Sequence, residues 1–129
     1  MFLLDTNAVI AALKGHAGVL TRIRAQSPQD VAISSIVAHE LYYGAFRSAR
    51  TDENLARVDA LQFHVLEFDR EDARCSGDIR ARLASAGSPI GPYDVLIAGQ
   101  ALSRSLILVT RNGREFSRIR GLRIEDWEG

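Results

Sequence analysis

The most constraining feature of this chain is an alternation. Apolar runs of three or four residues alternate with longer stretches of helical spacing, and a polar residue closes the clearest runs. Phe2-Leu3-Leu4 ends at Asp5, Val31-Ala32-Ile33 ends at Ser34, and the run from Leu106 to Val109 ends at Thr110. Runs this short have the length of buried strands, and the stretches between them are long enough for helices. Strands alternating with helices predict an α/β fold with a mostly parallel sheet.

The expected strands are Phe2–Leu4, Val31–Ile33, His64–Phe68, Leu106–Val109 and Arg123–Glu125. Helices are expected after Asp5-Thr6-Asn7 through Leu13, over Gly18–Ala25, and from a cap at Ser34 or Ser35 to about Arg47. Another starts at a Thr51 cap, with Leu55, Val58 and Leu61 or Gln62 at helical spacing. Asp69–Ala86 reads as a helix closed by Gly87, and a further helix covers about Tyr93 to Arg104. Ser88–Pro92 reads as a loop and Thr110–Gly113 as a turn.

With 129 residues the chain is expected to form one domain, 1–129. The single cysteine, Cys75, excludes an internal disulfide framework and a Cys-rich zinc site. No apolar run approaches the roughly 18 residues of a membrane helix. Met1-Phe2-Leu3-Leu4-Asp5 lacks the basic and long apolar regions of a signal peptide, so a cytoplasmic protein with no membrane partner is expected.

In an open parallel sheet, ligands bind beyond the carboxyl ends of the strands. The acids nearest those ends therefore matter most. Asp5 directly follows the first strand, where it could equally cap the next helix. Glu40 has Ile36, Val37, Tyr43 and Gly44 as its helical neighbours. That puts a carboxylate at the edge of an apolar face, where it needs an ion-pair partner, a ligand or solvent. Asp94 lies in a first helical turn behind Pro92. There it could serve only the helix dipole, yet its face continues through Ile97, Ala98 and Ala101. Glu115 follows the fourth strand and, taken alone, reads as a solvated acid. Several carboxylates at one sheet end repel one another, and a hard cation resolves the repulsion. Oxygen donors without Cys or His in position select Mg²⁺ or Mn²⁺ over zinc. Such an ion clamps phosphate oxygens and generates a nucleophilic water.

Five blocks carry a family likeness. They are Leu4-Asp5-Thr6-Asn7, Ile36–Gly44 around Glu40, Ile90–Ala98 around Asp94, Leu108–Phe116, and Gly121–Trp127. Their order and spacing resemble the PIN-domain ribonucleases, specifically the VapC toxins of VapBC toxin–antitoxin pairs, over essentially the whole chain. The resemblance implies a three-layer PIN-like fold with a central sheet of four to five strands flanked by helices. It also implies a Mg²⁺-dependent endoribonuclease toxin that hydrolyses tRNA or rRNA. Asp5, Glu40 and Asp94 take the positions of the family's first three metal-binding catalytic acids. The fourth position is open between Glu115 and Asn112, because some relatives carry Asp where this chain has Asn112. Asn7, Thr110 and Asn112 fall where supporting polar groups are expected. Hydrolysis by water would leave 5′-phosphate and 3′-hydroxyl ends. A VapB-like antitoxin and a homodimer, or a larger toxin–antitoxin assembly, are the partners the resemblance implies.

The net charge is +0, from 16 basic and 16 acidic residues, but 15 of the basic residues are Arg. Between Arg104 and Arg123 there are six Arg and one acid. Arg111, Arg114 and Arg118 are therefore candidate RNA-backbone contacts, and the alternative is a solvated surface. Tyr42, Tyr43 and Tyr93 could stack bases or pack at an interface. His16 and His64 read as structural, while His39 adjoins Glu40. Trp127 is expected to pack the tail onto the domain. Two other functions compete: a catalytically weak PIN-like RNA-binding domain, and an aspartyl-phosphate phosphatase using Asp5. The second normally needs Asp two positions on, where this chain has Asn7.

Overall fold

The computed structural model describes residues 1–129. The chain runs β1 (Phe2–Leu4), α1 (Thr6–Leu13), α2 (Ala17–Arg24), a 3₁₀ turn (Pro28–Asp30), β2 (Val31–Ser34), α3 (Ser35–Arg47) and α4 (Thr51–Asp59). It continues through β3 (His64–Leu66), α5 (Arg70–Ser85), α6 (Pro92–Ser103), β4 (Ile107–Val109), α7 (Gly113–Phe116) and β5 (Arg123–Glu125). All five strands are parallel, in the order β3-β2-β1-β4-β5. The expected mostly parallel sheet is thus wholly parallel, and it has the higher of the two strand counts.

The order places a switch in the winding between β1 and β4. From β1 the chain steps outward to β2 and β3, then returns to the other side for β4 and β5. Right-handed crossovers consequently put α1–α4 on one face and α5–α6 on the other. The contacts follow this division, with α1 against α2 and α3, α3 against α4, and α5 against α6, and α3 also meets α6 across it. Between the layers, Leu3, Leu4, Ile33, Leu108 and Val109 form the sheet's share of the core, and Val9, Val37, Ile97 and Phe116 cover it. The central strand β1 is buried on both sides, which accounts for its unbroken apolar run.

Local chemistry sets the element ends. Asp5 caps α1, Ser34 caps α3, and Asp69 caps α5 in a reciprocal box with Asp72. Gly87, at φ +70°, closes the α5 C-terminus with the Ser88 N–H returned to the Leu83 carbonyl. Three sequence expectations shift. The N-cap of α4 is Arg50 rather than Thr51, whose hydroxyl instead donates to the Ser48 carbonyl at 3.0 Å. The strand β3 stops at Leu66, because the Phe68 N–H turns to the Ser35 hydroxyl. Beyond the Thr110–Gly113 turn comes the single helical turn α7, too short to show a helical period in sequence.

Helices α5 and α6 form a closely packed antiparallel pair. A Cβ on Gly99 would lie 2.4 Å from the Ser76 Cβ and 2.6 Å from its Cα. At the lower end of the pair, the buried Asp72 accepts from the Arg104 guanidinium at 2.9 Å, the Asp69 N–H at 2.9 Å and the Ser103 hydroxyl. Burial alone would raise the Asp72 pKa, but these donors outweigh it and hold the carboxyl below its ordinary value. The tail folds back as expected. Trp127 is buried against Phe2 at 5.1 Å between ring centroids, and its indole N–H donates to Glu125 at 3.0 Å.

Candidate active site

The switch between β1 and β4 is where an open parallel sheet leaves a crevice. The residue ending each of these strands opens into it. Asp5 follows β1, and its backbone N–H still bonds the Val109 carbonyl of β4 at 3.0 Å. Thr110 follows β4, with its N–H bonded to the Glu125 carbonyl at 3.0 Å. Asp5 is only 2% exposed. Its Oδ1 accepts the Ala8 N–H at 2.9 Å, and the nearby Thr110 side chain also favours the ionised carboxylate. The Thr110 hydroxyl accepts the Asn112 N–H at 3.0 Å, which fixes it at the end of β4.

Burial raises the Asp5 pKa despite these bonds and the nearby Arg111 guanidinium, and the charge of Glu128 adds to the rise. Asp94 shows the larger perturbation. It sits half-buried in the first turn of α6, receives no protein hydrogen bond, and has its pKa pushed from 3.8 up to about 6. Burial is the largest cause, followed by the charges of Glu115, Asp5 and Glu40. All four acids singled out from sequence therefore share one electrostatic field.

Three of the four have one oxygen pinned by the scaffold. Asp5 is held by Ala8, Glu40 Oε1 by the Thr6 hydroxyl at 2.8 Å, and Glu115 Oε1 by the Gly91 N–H at 3.3 Å. The second oxygens remain as donors. No three of these side chains yet stand within common reach of one ion. Their chemistry fits a hard divalent cation: carboxylate oxygens only, with no Cys or His among the four.

The remaining candidates divide. Asn112 caps α7 through its carbonyl, which accepts from Glu115 and Phe116, and its side chain makes no capping bond. Glu115, one turn further on, is the side chain that joins the field around Asp94. Asn7 is half-buried in the first turn of α1. Arg111 lies near Asp5 and 3.9 Å from Glu128. Arg114 is exposed on α7 beside Glu115. Arg118 lines a separate groove with Arg82, Arg120 and Asp78, and none of the four acids reaches it. His16 caps α2 through Nδ1, and His64 is exposed on β3, so neither joins the site.

Two site residues escaped sequence reasoning. Thr6 lies inside the recognised motif, but its bond to Glu40 spans 34 positions. Glu128 has no local signal. It enters the field of Asp5 only because β5 pairs beside β4 and carries the tail back across the crevice.

An all-parallel sheet of this order, with acids gathered at its switch point, is the arrangement expected of a PIN-type nuclease, and the comparisons with known proteins decide for that class. The PIN domain family profile matches residues 2–122. The chain is 45% identical to the tRNA(fMet)-specific endonuclease VapC of Salmonella typhimurium, over 98% of this chain and 97% of that one. It is 38% identical to ribonuclease VapC2 of Haemophilus influenzae, over 98% and 97%. Among solved structures, the DNA-bound VapBC of Salmonella typhimurium superposes with a TM-score of 0.93, at 46% identity and 98% and 97% coverage. VapBC2 of Rickettsia felis, bound to a promoter DNA fragment, gives 0.92 at 32% identity and 98% coverage of both chains. The chain belongs to the PIN-domain family and, within it, to the VapC-type endoribonuclease toxins of toxin–antitoxin pairs.

Proposed function

We propose that this toxin hydrolyses tRNA, with initiator tRNA as the first candidate, using Mg²⁺ held by Asp5, Glu40, Asp94 and Glu115. The observation that carries the metal site is the convergence of three carboxylate charges on the unbonded Asp94. A group so placed is unfavourable alone and favourable beside a cation. The relative at 45% identity, named as specific for tRNA(fMet), supports the choice of RNA. Mn²⁺ is the substitute expected from the same oxygen donors.

When bound, the ion supplies Lewis acidity toward the phosphate and an activated water. The chain's own part is positional. Ala8, Thr6 and Gly91 hold one oxygen each of Asp5, Glu40 and Glu115, which leaves the other oxygen free for a ligand. Thr110, set by the Asn112 N–H, stands near the Asp5 carboxylate and favours its ionised form. Arg111 and Arg114, on the turn and helix beside Glu115, offer guanidinium forks to the phosphates flanking the cut.

A cognate VapB-like antitoxin is the proposed partner, as in the solved VapBC complexes. A groove between α1, α3 and α4, lined by Ile10, Leu13, Leu41 and Val58 and rimmed by Lys14 and Arg57, suits an apolar segment with acidic flanks. The test is cleavage of purified initiator tRNA beside an elongator tRNA and rRNA, with Mg²⁺ or EDTA. Wild type should cut the initiator tRNA only with metal, leaving 5′-phosphate ends. Asp5→Asn should lose at least about 100-fold in rate. Wild-type cleavage by Asp5→Asn would refute the metal site, and preferred cutting of rRNA would refute the RNA assignment.

A further inference from the structure

Each of the two helices that supply a central acid places an aromatic residue immediately before it. On α3 His39 precedes Glu40, and on α6 Tyr93 precedes Asp94. The two rings meet across the helix pair with centroids 5.7 Å apart and planes inclined at 54°. Neither is core. His39 is exposed, and Tyr93 is 45% exposed. The other tyrosines are otherwise engaged: the Tyr42 hydroxyl donates to Asp59, and the Tyr43 hydroxyl accepts from Arg47 along α3.

We propose that His39 and Tyr93 form a stacking platform for an unpaired RNA base next to the scissile phosphate. The proposal rests on the ribonuclease reading and adds the substrate contact that the acids cannot supply. Carboxylates repel an RNA backbone, so affinity must come from elsewhere. An arginine beside Glu40 or Asp94 would attract the phosphate, but it would also pair with the acids and compete with the cation for them. The Tyr93 face binds a base without adding or removing charge. Since every base has such a face, the platform fixes the position of a nucleotide and leaves its identity open. The target is therefore a loop or single-stranded end rather than a duplex, whose bases are already stacked.

The probe is a short single-stranded oligoribonucleotide carrying 2-aminopurine, whose fluorescence falls on stacking. Binding is measured with Mg²⁺ in an Asp5→Asn background, and cleavage is measured in the otherwise wild-type chain. Tyr93→Ala and His39→Ala should each weaken binding about tenfold, remove the quenching, and raise KM by a similar factor with kcat within about threefold. Tyr93→Phe should bind within about twofold of its parent, because it keeps the ring. The proposal is overturned if the alanine variants bind and quench as their parent does, or if Tyr93→Phe is as weak as Tyr93→Ala. It is also overturned if the alanine variants change only oligomeric state in sedimentation, which would make the rings a protein interface. Quenching without cleavage by wild type would uphold the platform and sink the ribonuclease reading. Cleavage without quenching would do the reverse.

Discussion

Replacing Asp94 by Asn should make the metal-free protein more stable, in a way that depends on pH. Asp94 is the acid with the worst surroundings: half-buried, facing the charges of Glu115, Asp5 and Glu40, and without a hydrogen bond. Displacement of its pKa from 3.8 to about 6 corresponds to about 3 kcal/mol between folded and unfolded states. Solvent reaches part of the carboxylate and screens its neighbours, so the effective figure is about 1–2 kcal/mol. The sign follows from the raised value. Below pH 3.8 the group is protonated in both states and costs nothing. Between pH 3.8 and about 6 the unfolded chain ionises it first, and the fold loses stability. Above about pH 6 the full penalty applies. Urea unfolding in EDTA should therefore show Asp94→Asn ahead of wild type by about 1–2 kcal/mol at pH 8, with the gap closing near pH 4. Adding Mg²⁺ should stabilise wild type more than the variant, by about 2.7 kcal/mol at 100 times its Kd. A variant less stable than wild type at pH 8 in EDTA, or a gap independent of pH, would refute the reasoning.

Two further predictions concern the helix pair that carries Asp94. Gly99→Ala sets a Cβ 2.4 Å from that of Ser76, so the helices must separate; it should cost about 1–3 kcal/mol in urea unfolding. Replacing Ser76 by Gly in the same chain should recover part of the loss, and no loss in the single variant would contradict the close approach. Asp72→Ala removes the capping box and strands Arg104, and it should cost about 2–3 kcal/mol at pH 7. Because the Asp72 pKa is lowered on folding, its contribution is present above about pH 3.8 and lost as pH falls further. The variant and wild type should converge in stability at low pH, and a constant difference down to pH 2 would show that the carboxylate's charge is not what matters.

What was legible in the sequence was whatever depends on neighbouring residues. The apolar run Phe2–Leu4 marks a strand buried on both sides, and the acid directly after it has to sit at the sheet's carboxyl end. The same reasoning finds Thr110 after β4. Glu40 was visible as a carboxylate at the edge of an apolar helical face, and Asp94 as one in a first turn above a buried face. What stayed hidden depends on which strands lie side by side. Thr6 meets Glu40 because β1 and β2 pair in register, which carries α1 and α3 to the same end of the sheet. Glu128 nears Asp5 because β5 lies beside β4. The choice between Asn112 and Glu115 turns on α7, a four-residue helix that aims Glu115 toward Gly91 and leaves Asn112 as a cap.

The net charge of zero takes its meaning from this arrangement. An acid pocket lowers stability, and the fold tolerates it because the elements carrying the acids are held by interactions that do not involve them. Gly99 against Ser76 and Asp72 against Arg104 lock α6 onto α5 whatever the ionisation of Asp94. Sheet bonds on either side of β1 hold the backbone before Asp5. The arginines are left outside this scaffold, with Arg114 and Arg118 exposed and Arg111 near Glu128 at 3.9 Å. Had those guanidinium groups folded into the crevice, they would have neutralised the acids and relieved Asp94. Only Arg111 comes near one of the acids, and the charges that converge on Asp94 are all negative, which leaves that carboxylate for a cation.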